Sequence, residues 1–169
     1  MLNNPVLVNS SRFILLVLAQ VLVFNHLNFF GTINPMVYVL FFFWYPVKEN
    51  NATLMLTAFA LGLVIDIFSD TMALHTLAAI TLAYFRPFMM RFCFGINFDF
   101  QNFSFKNATV VQRMTFLFLL IILQNMVFFF LEILSFSHIT LILKQILFTT
   151  LATFLFCSLL IVLFSKNQE

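Results

Sequence analysis

The chain has 169 residues, 63% of them hydrophobic and 8% charged, with a net charge of +2. A charged fraction so far below the roughly 25% of soluble domains excludes an ordinary soluble fold and calls for an integral membrane protein. The small positive balance, with no basic run to follow a phosphate backbone, excludes nucleic-acid binding.

From the N-terminus, a short polar stretch ending at Ser11 leads to Arg12 and an apolar run interrupted only by Gln20, Asn25, His26 and Asn28. Ala19-Gln20-Val21 does not supply the small-residue pattern of a signal cleavage site, so residues 12–30 read as a retained first span. Gly31-Thr32 makes a turn, and Asn34-Pro35 opens a second span over 33–47, because proline suits a first helical position where no N–H partner is needed. That span is short for a crossing of about 20 residues. Trp44 and Tyr45 suit an interfacial belt, with Lys48–Asn51 as the loop beyond.

The third span, 52–68, and the fourth, 73–91, flank the turn Ser69-Asp70-Thr71, with Asp66 just before it and His75 just after. An ionisable group inside a span costs roughly 2.5–3.5 kcal/mol on insertion scales, so a retained one calls for a partner or a task. Arg86-Pro87 falls in the last turns of the fourth span. Proline disfavours helical geometry in the residue before it, so the helix is expected to kink or end there while Arg86 and Arg91 reach for headgroups.

Residues 93–110 form the long polar connection, in which Phe98, Phe100, Phe103 and Phe105 alternate with Asp99, Gln101, Asn102 and Ser104. Two readings stand: a loop whose rings lie in the membrane interface, or a docking strand for a partner. Spans over 111–134 and 139–165, joined by the turn Ser135–His138, complete an all-α, polytopic domain of six transmembrane helices covering 1–169.

Arg12, Lys48, Arg86, Arg91, Lys106, Arg113 and Lys166 fall at the termini or in the second and fourth connections, so the positive-inside rule makes both termini cytoplasmic. Lys144 is the exception, inside the sixth span. His26, Asn28, Asn34, Asp66, Asp70, His75, Glu132, His138 and Lys144 then gather at the extracytoplasmic ends of their helices. Pairing Lys144 with Asp66 or Glu132 would offset the cost of each charge. The alternatives are contact with a solute or partner, and solvation in the headgroup layer.

Neither G-x-S-x-G nor H-E-x-x-H occurs, and no nucleophile sits beside a base at a recognisable spacing, so no enzyme is expected. Cys93 and Cys157 lack metal-ligand or redox spacing and read as inert thiols, leaving no metal or cofactor site. Four N-x-[ST] matches, at Asn9, Asn51, Asn102 and Asn107, lie on the side read as cytoplasmic and are chance matches.

The order and spacing of Asn28-Phe29-Phe30-Gly31-Thr32-Ile33-Asn34-Pro35, Tyr38, Pro46, Gly62-Leu63, Asp66-Ile67-Phe68, His75 and Arg86-Pro87 resemble those of the MreD family, most closely its Bacteroidetes-type members. The resemblance covers residues 12–165 in length and span count, with its motifs between 28 and 91. It implies a six-helix protein of the bacterial inner membrane, similar in fold to the substrate-binding components of energy-coupling-factor vitamin transporters. The implied role is a non-enzymatic scaffold of the rod complex that pairs with MreC and supports lateral peptidoglycan synthesis. RodA, its penicillin-binding transpeptidase partner and cytoplasmic MreB are the further partners implied. The family supplies no catalytic residues. Asn34, Pro35, Asp66, His75, Arg86, Pro87, Arg91, Glu132 and Lys144 are therefore structural or interaction candidates. Relatives often place a glycine in the turn where this chain has Ala73. The rival reading is a solute-binding membrane component of an energy-coupling-factor-type transporter, with the outer polar cluster as its pocket.

Overall fold

The computed structural model describes residues 5–27, 33–48, 50–95, 105, 108–133 and 139–165. Asn28, the turn at Gly31-Thr32, the alternating segment 98–104 and the turn Ser135–His138 lie outside the described residues, as do Lys106 and Lys166. The described residues form helices α1 (Pro5–Leu22), α2 (Val39–Trp44), α3 (Asn51–Ser69), α4 (Leu74–Phe94), α5 (Val110–Ile133) and α6 (Ile139–Ser165), with a 3-10 turn at Phe24–His26. Among them, five stretches are long and apolar enough to cross a membrane: Leu7–His26, Asn51–Ser69, Leu74–Phe94, Val110–Glu132 and Lys144–Leu163.

The sixth helix is different. The helix expected to open at Asn34-Pro35 begins only at Val39 and has six residues, VLFFFW. A helix apolar on every side needs burial on every side. Accordingly Val37, Tyr38, Val39, Leu40 and Phe42 are fully enclosed, between α5, α1 and α4. At about 9 Å long, such a helix is far too short to be stable alone or to span a bilayer core of about 30 Å.

Contacts at its ends set the direction of the chain. Asn25, just beyond α1, meets Ser69 at the end of α3, so α1 and α3 run the same way. Arg12 in α1 meets Trp44 at the end of α2. Residues 33–45 therefore carry the chain back from one end of the bundle to the other.

The helices α3 and α4 form the tightest hairpin. A Cβ on Gly62 would lie 2.4 Å from the Cα of Thr76, so only glycine permits this approach. Ala58, Ala78, Ala79 and Ala83 are buried too, giving the small-residue packing that lets membrane helices close on each other. The turn between them is made of two left-handed residues, Asp70 (φ 53°) and Ala73 (φ 61°). Ala73 therefore stands in a left-handed conformation that suits glycine better than alanine. The large rings pack elsewhere: Phe43, Phe94, Phe105 and Phe116 form one cluster at the opposite end of the bundle from that turn.

The helix α4 does not end at Arg86-Pro87. It runs through Pro87 to Phe94 and stops at Gly95, whose φ of 107° suits only glycine. Proline is tolerated inside a membrane helix where neighbours hold the segment, and α4 is packed between α3 and α5.

Candidate functional site

In a membrane interior every backbone N–H and C=O needs a partner within the protein, and α2 leaves orphans at both ends. At its start, Gln20 Oε1 accepts from the N–H groups of Val37 (2.8 Å) and Tyr38 (3.4 Å), while Gln20 Nε2 donates to Pro35 O (3.1 Å). The Met36 N–H donates to Thr153 Oγ1 on α6 (3.1 Å). At the far end Arg86 donates through Nε to Phe42 O (2.7 Å) and through Nη2 to Tyr45 O (2.5 Å), and Arg12 Nη1 donates to Trp44 O (3.2 Å). Arg86 also lies over the Tyr45 ring, 5.8 Å from its centroid. Four side chains from α1, α4 and α6 thus replace the hydrogen bonds that a longer helix would make with itself.

A second set of polar groups fixes the α3–α4 turn and ties it to α2. One oxygen of Asp66 accepts from Thr71 Oγ1 (2.5 Å) and the His75 N–H (3.0 Å). The other accepts from the Thr76 N–H (2.8 Å) and Thr76 Oγ1 (2.6 Å). The carboxylate at the end of α3 therefore caps the start of α4, where N–H groups are unpaired and the helix dipole favours negative charge. His75 then reaches Tyr38: its Nδ1 lies 2.9 Å from Tyr38 Oη, and Gln124 Nε2 on α5 donates to the same hydroxyl. The imidazole also packs on Phe128, with ring centroids 4.6 Å apart.

Above these contacts lies a cavity of about 350 Å³, lined among others by Gln20, Asn25, His26, Asn34, His75 and Glu132. Ser69, Thr71 and Gln145 add to its polar wall. Asn25 is held there, accepting from Gln20 Nε2 (2.8 Å) and donating to Ser69 Oγ (2.6 Å). Among the described residues, Glu132 Oε2 is buried without a hydrogen-bond partner.

The expected residues divide accordingly. Asp66 and His75 are brought together, and Asn34, His75 and Glu132 share the cavity. The proposed pair of Asp66 with Lys144 is corrected: both Asp66 oxygens are filled by neighbours in the α3–α4 turn, and Lys144 is exposed at the edge of the apolar part of α6. Among the described residues, Glu132 Oε2 has no hydrogen-bond partner, Lys144 included. Arg86 is also corrected, because it is buried against α2 carbonyls rather than extended to headgroups, while Arg91 is exposed. Pro35 is buried, and Pro87 half-buried within α4.

Reasoning from sequence missed Gln20, Tyr38, Gln124 and Thr153 as organising residues. The available signal was an amide or hydroxyl interrupting an apolar helix, which marks an interhelical hydrogen bond but names no partner. Among the described residues, no group of three or more His, Cys, Asp or Glu side chains is arranged to hold a metal ion. Compared with protein-family models, curated proteins and solved structures, the chain matches none.

Proposed function

We propose that this chain is a non-enzymatic scaffold of the MreD type, seated in the bacterial inner membrane and pairing with MreC in the rod complex. The observation that carries the reading is where the motif residues lie. Asp66 grips α4, His75 holds Tyr38, and Arg86 closes the end of α2, so the positions behind the resemblance are engaged in joining helices. Groups used this way give a rigid body of defined shape, which is what a scaffold offers its partners.

On this reading residues 33–45 make the sixth crossing, and both termini are cytoplasmic by the distribution of Arg and Lys. The arrangement is then similar to the substrate-binding components of energy-coupling-factor transporters. RodA, its transpeptidase partner and MreB complete the proposed neighbourhood.

Affinity purification of the tagged chain from its native membranes tests the proposal. MreC is expected to co-purify, and depletion of the chain is expected to turn rods into spheres. A chain that purifies without MreC and whose loss leaves rods unchanged would sink it. A tightly held vitamin-like molecule together with an energising ATPase would establish the transporter reading instead.

A further inference from the structure

The outer face of α4 carries one group that lipid tails cannot satisfy. Of the three tyrosines in the chain, Tyr38 is enclosed between His75 and Gln124, and Tyr45 lies at the end of the bundle with Arg86 over its ring. Tyr84 is 66% exposed, and among the described residues its hydroxyl makes no hydrogen bond. Its ring meets Phe85 edge-on, with centroids 5.2 Å apart.

The depth of this residue makes the hydroxyl conspicuous. Tyr84 is ten residues from Leu74 and ten from Phe94, so it stands about 15 Å from either end of a helix long and apolar enough to span. That distance is half of a hydrocarbon core of about 30 Å, which puts Tyr84 near the bilayer centre. Helical side chains lean toward the N-terminus of their helix, so the hydroxyl is carried away from the end where Arg91 is exposed. Tyrosine belongs at the membrane interface, with its ring in the apolar layer and its hydroxyl among headgroups. Hydrocarbon offers the hydroxyl no partner, and leaving it unpaired there is costly.

Leu77, Thr81, Tyr84, Phe88 and Arg91 follow one another at alternating intervals of four and three, the spacing of a seam along which a second helix crosses at a shallow angle. Thr81 is already satisfied, its Oγ1 donating to Leu77 O (2.8 Å), so Tyr84 is the position that requires something of an occupant. The bulk of the face sets the shape of that occupant. Membrane helices approach closely through small residues, and in this chain Ala58, Gly62, Ala78, Ala79 and Ala83 are already buried between α3 and α4. A second copy meeting this face with its own α4 would set ring on ring. We propose that the face docks a transmembrane helix of another protein, one that presents small residues to Tyr84 and Phe88 and a hydroxyl or amide side chain to accept from the Tyr84 hydroxyl. The inference does not rest on the scaffold reading.

The test uses the full chain in its native membranes. Photoreactive benzoylphenylalanine replaces Leu77, Thr81 or Phe88 one at a time, with the exposed Leu155 and Leu159 of α6 as control positions, in the original background and together with Tyr84→Phe. Irradiation is expected to join the three α4 positions, and neither control, to an apolar segment of one other membrane protein, and mass spectrometry of the joined peptide is expected to find small residues with a Ser, Thr, Asn or Gln among them. Tyr84→Phe keeps the ring and removes only the hydroxyl. It is expected to lower the yield about fivefold, as loss of one interhelical hydrogen bond does, while the melting temperature of the purified chain stays level. Products with lipid or second copies alone, a joined peptide from outside a membrane span or without a hydroxyl or amide, or an unchanged yield in Tyr84→Phe would each overturn the proposal. So would a clear fall in the melting temperature of Tyr84→Phe, which would place the partner of the hydroxyl within the chain. Capture of MreC would support the scaffold reading as well, whereas capture of a different membrane helix would leave the docking surface standing without it.

Discussion

Asp66 accepts four hydrogen bonds from three residues of the turn and first helical positions that follow it. Hydrogen bonds to charged groups contribute about 1.5–3 kcal/mol each, and removing the acceptor also leaves buried N–H groups unmet. Asp66→Ala is therefore expected to destabilise the protein by about 3–5 kcal/mol, near the top of the single-substitution range. Lys144→Met is expected to change stability by less than about 0.5 kcal/mol, as surface substitutions do. Melting both variants in detergent separates the two assignments: equal losses would restore the ion pair, whereas a loss in Asp66→Ala alone supports the helix cap. Tyr38 shows the same economy, one hydroxyl joining α4 to α5 through His75 and Gln124.

At the scale of the element, α3–α4 depends on a close approach and α2 on borrowed partners. Gly62→Ala places a methyl against the backbone of Thr76 and should separate the helices, lowering the melting temperature. Ala73→Gly removes a left-handed alanine that costs roughly 1–2 kcal/mol. Part of that gain is offset by unfolded-state entropy, so its melting temperature is expected to stay level or rise; a clear fall would refute the strain at this turn. For α2, Gln20→Leu leaves the Val37 and Tyr38 N–H groups without their acceptor. Hydrogen exchange should find the α2 amides among the slowest in the original chain and faster in this variant. The long helices were legible because each is a long apolar run, and Asp66 was legible because its charge is conspicuous there. Neither signal identifies partners: Thr71 and Thr76 are inconspicuous hydroxyls, and charge complementarity pointed to Lys144 instead. The apolar run through 36–45 reads equally well as a spanning helix or a short enclosed one, because periodicity is lost when every face is buried.

For the whole molecule, the two bundle ends differ in kind. Arg12 and Arg86 meet main-chain oxygens around Trp44 and Tyr45 at one end, and the cavity holds amides, imidazole and a carboxylate at the other. Cysteines placed singly at Leu27 and Lys48, on either side of 33–45, in a cysteine-free background are expected to be labelled from opposite faces of the membrane. Labelling of both from the same face would refute the return path through 33–45. That path is short. Three residues before Met36 reach at most about 10 Å, and the turn and helix from Met36 to Trp44 about 14 Å, together about 24 Å against the roughly 30 Å of hydrocarbon. The partners that make it tolerable are distant in sequence: Arg86 is supplied by α4, and Thr153 is 117 residues from Met36. During synthesis the segment must therefore wait, seated provisionally, until nearly the whole chain has entered the bilayer. A chain cut short before α6 would keep four apolar helices yet leave the Met36 N–H without its acceptor, a lesion that quality-control proteases could recognise from within the membrane.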